Sequence, residues 1–227
     1  MSKTKPGTAE GKVAAADMLK FQRKHGQFRT ILADPPWQFQ NSTGKMAPEH
    51  KRLHRYPTLV HQDILDLPVE QLAAEKSHLY LWCPNALIAE GLEVMSAWGF
   101  EYKTMLTWYK TRKDGGPDGR GVGFYFRNVT EMILFGIRGK DNRTLQPGRT
   151  QTNIIVKPRR EHSRKPDEQY PLIEACSPGP FVELFARKAQ PGWKAWGNQI
   201  DPDKGHVVTL EEHRQRRMLE DEQHSTL

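Results

Sequence analysis

The chain has 227 residues, 37% of them hydrophobic, and its 34 Lys and Arg against 27 Asp and Glu give a net charge of +7. This length predicts one domain, at most with a small appendage, whose core needs no disulfide or metal. The two cysteines are too few for a disulfide framework, no Cys/His cluster has metal-site spacing, and no apolar run suits a signal sequence or a membrane span. We therefore expect a soluble, cytoplasmic protein with no metal and no membrane partner.

The segment 1–27 is predicted to be a flexible N-terminal extension with a short amphipathic helix at Val13–Lys24. Strand and helix patterns then alternate from residue 28 to residue 202. Strands are predicted at Phe28–Ala33, His78–Cys83, Phe100–Lys110, Val129–Gly136, Asn153–Val156, Phe181–Arg187 and Trp193–Gly197. Helices are predicted at Asp63–Ala74 with a break at Pro68, at Asn85–Trp98, and at Lys165–Ala175. The charged tail, residues 203–227, is predicted to be a marginal helix or a disordered end.

Alternating strands and helices are typical of an α/β fold in which helices cover both faces of a mostly parallel sheet. Ligands of such sheets bind beyond the carboxyl ends of the strands. Two loops, residues 37–58 and 111–123, follow predicted strands and are long for a compact domain. Loops of this length are usually functional or disordered.

Positive charge is concentrated between Arg138 and Lys165, a segment that contains nine Lys or Arg and only two Asp or Glu. Clustered positive charge among Gly, Asn and Thr suits contact with phosphates, and Arg159 and Arg160 are the candidates for a nucleic-acid backbone. A solvated loop that keeps the protein soluble explains the same composition equally well. The charge alone leaves both interpretations open.

The most informative motif is Asp34-Pro35-Pro36-Trp37, which directly follows the first predicted strand. A carboxylate and a rigidly held proline carbonyl can each accept one N–H of an exocyclic amine such as that of adenine, which is otherwise a poor nucleophile. Trp37 offers an aromatic face for a base taken out of its stack. A proline-stiffened turn with a buried Trp is the simpler explanation of this tetrapeptide taken alone.

The segment Ile31–Trp37 resembles the signature of the adenine-N6 methyltransferase family that includes the eukaryotic mRNA adenosine methyltransferase catalytic subunit. Bacterial and phage members of that family are mostly DNA adenine methyltransferases. Five further segments resemble family motifs in the same order, namely Tyr56-Pro57-Thr58, Leu79–Trp82, Arg164–Tyr170, Glu183–Arg187 and Trp193–Gln199. The resemblance implies a Rossmann-like methyltransferase domain with permuted motif order, in which the amine-holding strand comes early and the cofactor strand late.

The resemblance also implies a role for each matched residue, with S-adenosylmethionine as the cofactor. The expected catalytic residues are Asp34, Pro35, Pro36 and Trp37, with Asp34 contacting the target amine, the methionine end of the cofactor, or both. The expected cofactor-binding residues are Asp34, Lys165, Glu183, Arg187, Asn198 and Gln199. Lys165 suits the cofactor carboxylate because its ammonium is a compact charge, and the amides of Asn198 and Gln199 suit hydroxyls and a purine edge.

Residues around the target base are expected from the loops. Tyr56 would help to cover the base, and Arg127 and Asn128 flank a predicted strand from which they could line its pocket. Glu131 lies on that strand, where a structural ion pair is its favoured role. Taken singly, Lys165 would be a surface lysine at a helix start. Two departures from the family concern the cofactor adenine pocket: the acidic strand that many relatives carry is not identified among the 33 residues before Asp34, and the segment between Arg187 and Trp193 is shorter than in the mRNA enzyme.

The sequence favours DNA over RNA as the nucleic-acid partner, because the chain is small and has no zinc-finger pattern of an RNA-binding appendage. An RNA target, a cytosine amine and a catalytically inactive nucleic-acid-binding subunit are the alternatives. The intact matched motifs argue against the inactive subunit. The sequence leaves open whether the chain forms a homodimer or a heterodimer.

Overall fold

The computed structural model describes residues 7–38, 59–119, 125–160 and 164–197. The described residues form five α-helices, α1 Ala9–His25, α2 His61–Leu65, α3 Val69–Leu72, α4 Ile88–Ala97 and α5 Gln169–Cys176. The same residues form seven strands, β1 Phe28–Ala33, β2 Ala73–Cys83, β3 Glu101–Thr111, β4 Thr130–Arg138, β5 Ile154–Pro158, β6 Phe181–Leu184 and β7 Trp193–Trp196. None of the helices in these ranges combines the length and apolar character that crossing a bilayer demands.

The strands form one sheet in the order β5-β3-β4-β2-β1-β6-β7. β4 runs antiparallel to both of its neighbours, β2 and β3, whereas all other adjacent strands are parallel. The predicted α/β fold with a mostly parallel sheet is therefore confirmed. Consequently β1, β2, β3, β5, β6 and β7 all end at the same edge of the sheet, which we call the carboxyl edge, and β4 begins there.

Side chains of the central strands are buried on both faces of the sheet, which explains their continuous apolar sequences. In β1, Ile31 and Ala33 join the core layer that helices α1 to α4 cover. Leu32 points to the other layer, where α5 contributes Tyr170 and Ile173. Helices therefore cover both faces, as predicted, with four on one face and one on the other.

The N-terminal helix is longer than predicted and belongs to the packed domain. Thr8 caps α1 by accepting a hydrogen bond from the Gly11 amide at 3.1 Å, and its own amide donates to the buried carboxylate of Asp63 at 2.7 Å. Met18 is fully buried in the core, and Trp196 donates from its indole to Asp17 at 2.9 Å. The prediction of a flexible extension is therefore wrong for residues 7–27, because apolar contacts and a buried carboxylate hold α1 in place.

Two further element boundaries differ from the sequence predictions. β2 begins at Ala73, where a helix was predicted to end, because α3 stops after one turn. α5 begins at Gln169 rather than at Lys165. The acidic residues Asp167 and Glu168 precede α5 and pair with basic side chains instead of occupying its first turn. The predicted boundary at residue 202 lies outside the described residues.

Candidate active site at the carboxyl edge of the sheet

Asp34 lies at the centre of the carboxyl edge because it directly follows β1, which is flanked by β2 and β6. The Lys165 ammonium lies 3.1 Å from Asp34 Oδ1 and 3.4 Å from Glu131 Oε2. Glu131 is the second residue of β4, which begins at this edge. Three segments that are distant in sequence thus supply a carboxylate, an ammonium and a second carboxylate within direct contact.

A second lysine extends the cluster on the β3 side. Lys110 donates a hydrogen bond to Glu131 Oε1 at 2.9 Å, and its side chain is only 12% exposed. Both lysines lie over indole rings, Lys165 at 4.9 Å from the ring centroid of Trp82 and Lys110 at 5.0 Å from that of Trp108. The negative faces of the rings favour the ammonium groups. The cluster therefore alternates in charge from Asp34 to Lys110.

The charges of the cluster stabilise one another. Burial alone would lower the pKa of Lys165, but the charges of Asp34 and Glu131 outweigh it and raise the pKa. Burial likewise opposes ionisation of Glu131, but Lys165 and Lys110 lower its pKa. Both groups are consequently charged at neutral pH, and Lys165 is a fixed cation at the edge of the sheet.

The proline motif is rigid, and the structure gives Trp37 a role different from the one predicted. The Trp37 indole is 7% exposed within the core and donates to the Trp82 carbonyl at 2.9 Å. Its expected use as a stacking surface for a base is therefore corrected to a structural one. The Trp37 amide also donates to the Pro35 carbonyl at 2.8 Å. That carbonyl keeps its second lone pair for another donor, and Pro36 is partly exposed beside it.

The β6 side of the edge supplies Glu183 and Arg187. Arg187 Nη2 lies 3.9 Å from Asp34 Oδ2, and Tyr170 donates from its hydroxyl to Glu183 at 2.9 Å. Burial raises the pKa of Glu183 to about 7, with the nearby charge of Asp34 adding to the rise and the Tyr170 hydrogen bond opposing it. Four predicted site residues, Asp34, Lys165, Glu183 and Arg187, are thus brought together at one edge.

A cluster of ion pairs borders this site around Asp167. Its carboxylate accepts hydrogen bonds from Arg164 at 2.6 Å, from Lys188 at 2.9 Å and from Arg160. Burial opposes ionisation of Asp167, but the hydrogen bonds of Lys188 and Arg160 lower its pKa to about 2. Arg160, which the sequence indicates as a candidate phosphate contact, therefore forms an ion pair with Asp167.

The basic stretch 138–165 does not form one surface. β4 carries the chain to Arg138, which lies at the edge opposite Asp34 and pairs with Glu70 at 3.0 Å. β5 then returns the chain to the carboxyl edge, where Lys157 pairs with Glu168 at 2.9 Å. The strands therefore distribute the charges of this stretch between two edges of the sheet, and a phosphate contact at Arg159 stays a prediction. Arg159 remains exposed at the carboxyl edge.

Arg127 and Asn128 lie just before β4 at the carboxyl edge, and both are exposed. Asn85, which follows β2, donates to Thr130 Oγ1 at 2.9 Å and approaches Asn128 Oδ1 at 3.5 Å. The start of β4 is thereby held against the end of β2. The remaining predicted site residues, Tyr56, Asn198 and Gln199, lie outside the described residues.

Sequence reasoning missed Lys110 and Asp167, and it assigned Glu131 to an ion pair without identifying its partners. Lys110 is an ordinary charged residue at a strand end, and no local pattern distinguishes it. Asp167 was assigned to a helix start, because an acidic residue after Pro166 is typical of a first turn. Only the sheet order, which places β3 beside β4 and both near β1, could reveal that Lys110 contacts Glu131 at the candidate site.

Comparison with known proteins identifies the family of this chain. Residues 28–199 match the MT-A70 family. The chain is 34% identical over 182 residues to the probable N(6)-adenosine-methyltransferase MT-A70-like of Oryza sativa subsp. japonica, an alignment that covers 78% of this chain and 23% of the rice protein. It is 32% identical over 182 residues to the human N(6)-adenosine-methyltransferase catalytic subunit METTL3, covering 78% of this chain and 29% of the human protein.

A shorter relative aligns along most of its length. The Type II methyltransferase M.MunI of Mycoplasma sp is 30% identical over 214 residues, an alignment that covers 87% of this chain and 88% of M.MunI. The chain thus spans less than a third of the rice and human relatives but most of the bacterial one. The match over residues 28–199 includes every residue of the cluster at the carboxyl edge. The chain therefore belongs to the MT-A70 family.

Proposed function

We propose that this protein is an S-adenosylmethionine-dependent methyltransferase that methylates the N6 amine of adenine in DNA. The observation that carries the proposal is the Asp34–Lys165–Glu131 cluster at the carboxyl edge, with Lys165 3.1 Å from Asp34. The edge combines a hydrogen-bond acceptor for an amine with a cation for an acidic ligand group. Ligands of α/β sheets bind at this edge.

The described residues fit the proposed cofactor. Lys165 is a cation at the edge and suits the carboxylate of the methionine part, and Asp34 suits its ammonium. Glu183, a partly buried carboxyl group on the neighbouring strand, suits the ribose hydroxyls as a hydrogen-bond acceptor. Gly197 brings the chain close to the turn before Arg187, since a Cβ there would lie 2.4 Å from the Ala186 carbonyl. When bound, S-adenosylmethionine would supply an electrophilic methyl group.

Asp34 is also placed to activate the N6 amine of the target adenine. Hydrogen bonds from the amine to the Asp34 carboxylate and to the second lone pair of the Pro35 carbonyl would hold both N–H groups and orient the nitrogen lone pair. Methyl transfer would break the bond between the methyl carbon and the cofactor sulfur, which would leave as a neutral thioether, as the N–C bond forms; the amine would then lose a proton, which Asp34 can accept. The partial exposure of Asp34, 25% of its side chain, leaves it accessible to a substrate. Orientation of this kind contributes much of the rate enhancement of bimolecular reactions.

One observation favours DNA as the substrate polymer, and a second favours a nucleic acid of either kind. The alignment with the bacterial relative M.MunI covers most of both chains, and the family resemblance implies DNA for bacterial members. The net charge of +7 also favours a polyanionic partner. We assign Arg159 and Arg127, both exposed at the carboxyl edge, to phosphate contacts. RNA is the second candidate, because the rice and human relatives carry the name N(6)-adenosine-methyltransferase.

The proposal is tested by incubating the protein with methyl-labelled cofactor and with DNA or RNA that lacks N6-methyladenine. Mass spectrometry of the digested nucleosides then identifies the product. We expect N6-methyldeoxyadenosine from DNA. Label only in RNA would move the target to the second candidate, and label on cytosine would overturn the assignment of the base.

A matched pair of variants separates an enzyme from an inactive binding subunit. Asp34→Asn should reduce methyl transfer at least about a hundredfold, because the amide cannot take the proton. Asp66→Asn changes an exposed carboxylate at the end of α2 and should leave activity unchanged. If calorimetry detects no binding of S-adenosylmethionine to the wild-type protein, the chain is a binding subunit and the proposed activity is wrong.

A further inference from the structure

Tyr125 and Phe126 are the most exposed large hydrophobic side chains among the described residues. Tyr125 is 95% exposed and Phe126 is 86% exposed, whereas the next value, that of Val13, is 69%. Exposing two adjacent aromatic rings to water forgoes the free energy that burial of such large apolar surfaces provides. Adjacent exposed rings of this kind are typical of surfaces that bind a partner.

The aromatic pair, Tyr125 and Phe126, is held close to the candidate active site. The Val129 carbonyl accepts a hydrogen bond from the Lys110 amide at 2.8 Å, and Arg127 donates to the Gly119 carbonyl at 3.4 Å. Phe126 is five residues before Glu131, and five extended residues span at most about 18 Å. Neighbouring nucleotides of a stacked strand are about 3.4 Å apart, so the maximum distance between Phe126 and Glu131 corresponds to roughly five nucleotides.

The sequence around the aromatic pair is predominantly basic. Residues 110–128 contain five Lys or Arg and two Asp. One of those carboxylates, Asp114, pairs with Arg112 at 2.9 Å. Arg127 directly follows Phe126 and is exposed. Aromatic rings beside basic side chains match the two parts of a nucleic-acid strand, since the rings stack on bases and the cations contact phosphates.

We propose that Tyr125 and Phe126 stack on nucleobases next to the target adenine, and that Arg127 contacts an adjacent phosphate. This inference rests on the proposed function, because it assumes that a nucleic acid occupies the carboxyl edge. Stacking of flanking bases would offset the cost of removing the target base from its neighbours. The aromatic pair thereby contributes to substrate affinity and takes no part in the methyl-transfer step.

The test compares a double variant, Tyr125→Ala with Phe126→Ala, with a control variant, Tyr102→Ala. Tyr102 is 37% exposed and lies near the start of β3, at the opposite edge of the sheet. The probe is a fluorescent oligonucleotide of whichever polymer the wild-type protein methylates. We expect the double variant to bind it at least tenfold more weakly, because loss of stacking costs roughly fivefold to a hundredfold per base. The control variant should bind as the wild type does.

The salt dependence of binding distinguishes stacking from charge. The double variant removes no charge, so the slope of log Kd against log salt should equal that of the wild type. Arg127→Met should reduce the slope by about one, as expected for one phosphate contact. Cofactor affinity and melting temperature should be unchanged in the double variant, because both side chains are exposed.

The possible failures are distinguishable. A wild-type protein that neither binds nor methylates any nucleic acid contradicts the proposed function itself. Full nucleic-acid affinity in the double variant of an active enzyme overturns only the role of the aromatic pair. If light scattering shows that the wild type is a dimer and the double variant a monomer, with nucleic-acid affinity per chain unchanged, the pair is a protein interface and the inference is wrong.

Discussion

Lys188 donates a hydrogen bond to Asp167 at 2.9 Å, and this contact joins the segment that carries Lys165 to the turn that carries Arg187. Asp34 contacts both of those cations, Lys165 at 3.1 Å and Arg187 at 3.9 Å. Two contacts therefore link these segments. Asp167 binds Lys188 directly, and Asp34 lies between Lys165 and Arg187. We infer that Asp167 sets the spacing of the two cations and is a positioning residue.

Substitution of Asp167 tests this relationship. Asp167→Asn should raise the KM for the cofactor roughly two- to fivefold, and it should change kcat less. A change of this size matches the free energy that a partly exposed ion pair contributes. Asp167→Glu should restore most of the loss because it keeps the charge. Asp114→Asn, which removes an exposed carboxylate paired with Arg112, is the control. An unaltered cofactor KM in Asp167→Asn would mean that other contacts fix the two segments.

Glu183 should titrate near neutral pH. Its pKa is raised to about 7, because burial and the charge of Asp34 disfavour the carboxylate. The folded state therefore binds this proton more tightly than the unfolded state, and the contribution of Glu183 to the free energy of unfolding should decrease as pH rises from about 4.5 to about 7. Carbon-13 NMR of the side-chain carboxyl groups measures the midpoint directly. Glu183→Gln should remove this part of the pH dependence and still accept the hydrogen bond of Tyr170, whereas a midpoint below 5 would contradict the prediction.

His78 should give a pH dependence of the opposite sign. It is fully buried and contacts Ser177 Oγ at 2.7 Å, and burial lowers its pKa. The unfolded state then binds the proton more readily, so the contribution of His78 to the free energy of unfolding should fall as pH drops below about 6.5, by at most about 1.4 kcal/mol per pH unit. Urea denaturation at several pH values measures the slope. His78→Gln should flatten this decline, and the surface substitution His61→Gln serves as the comparison.

Gly197 should not tolerate a side chain. A Cβ at this position would lie 2.4 Å from the Ala186 carbonyl oxygen and 2.8 Å from the Ala186 nitrogen, so backbone would have to move. Gly197→Ala should lower the free energy of unfolding by about 1–3 kcal/mol and weaken cofactor binding, because Arg187 follows Ala186. Thermal denaturation and calorimetry check the two effects. Gly119→Ala, where the nearest atom to a Cβ is 3.9 Å away, should change neither.

The sequence alone determined the local elements and the first of the site residues. Apolar runs predicted the strands of the sheet, and Asp34-Pro35-Pro36-Trp37 marked the end of β1 as the site. Both signals are local, since a strand pattern and a proline-induced stop depend on adjacent residues. The family motifs added Lys165, Glu183 and Arg187, which the structure brings together near Asp34.

Only the tertiary structure decided which charges face one another. The reversed direction of β4 brings Glu131 to the carboxyl edge beside Lys165 and Lys110, and carries Arg138 to the opposite edge. Sheet packing buries the Trp37 indole that the sequence assigned to a base. Electrostatic contacts depend on strand order and direction, which are set by the packing of the whole sheet and not by neighbouring residues. For this reason the sequence predicts that the site lies at the end of β1, whereas the tertiary structure determines which side chains contact one another there.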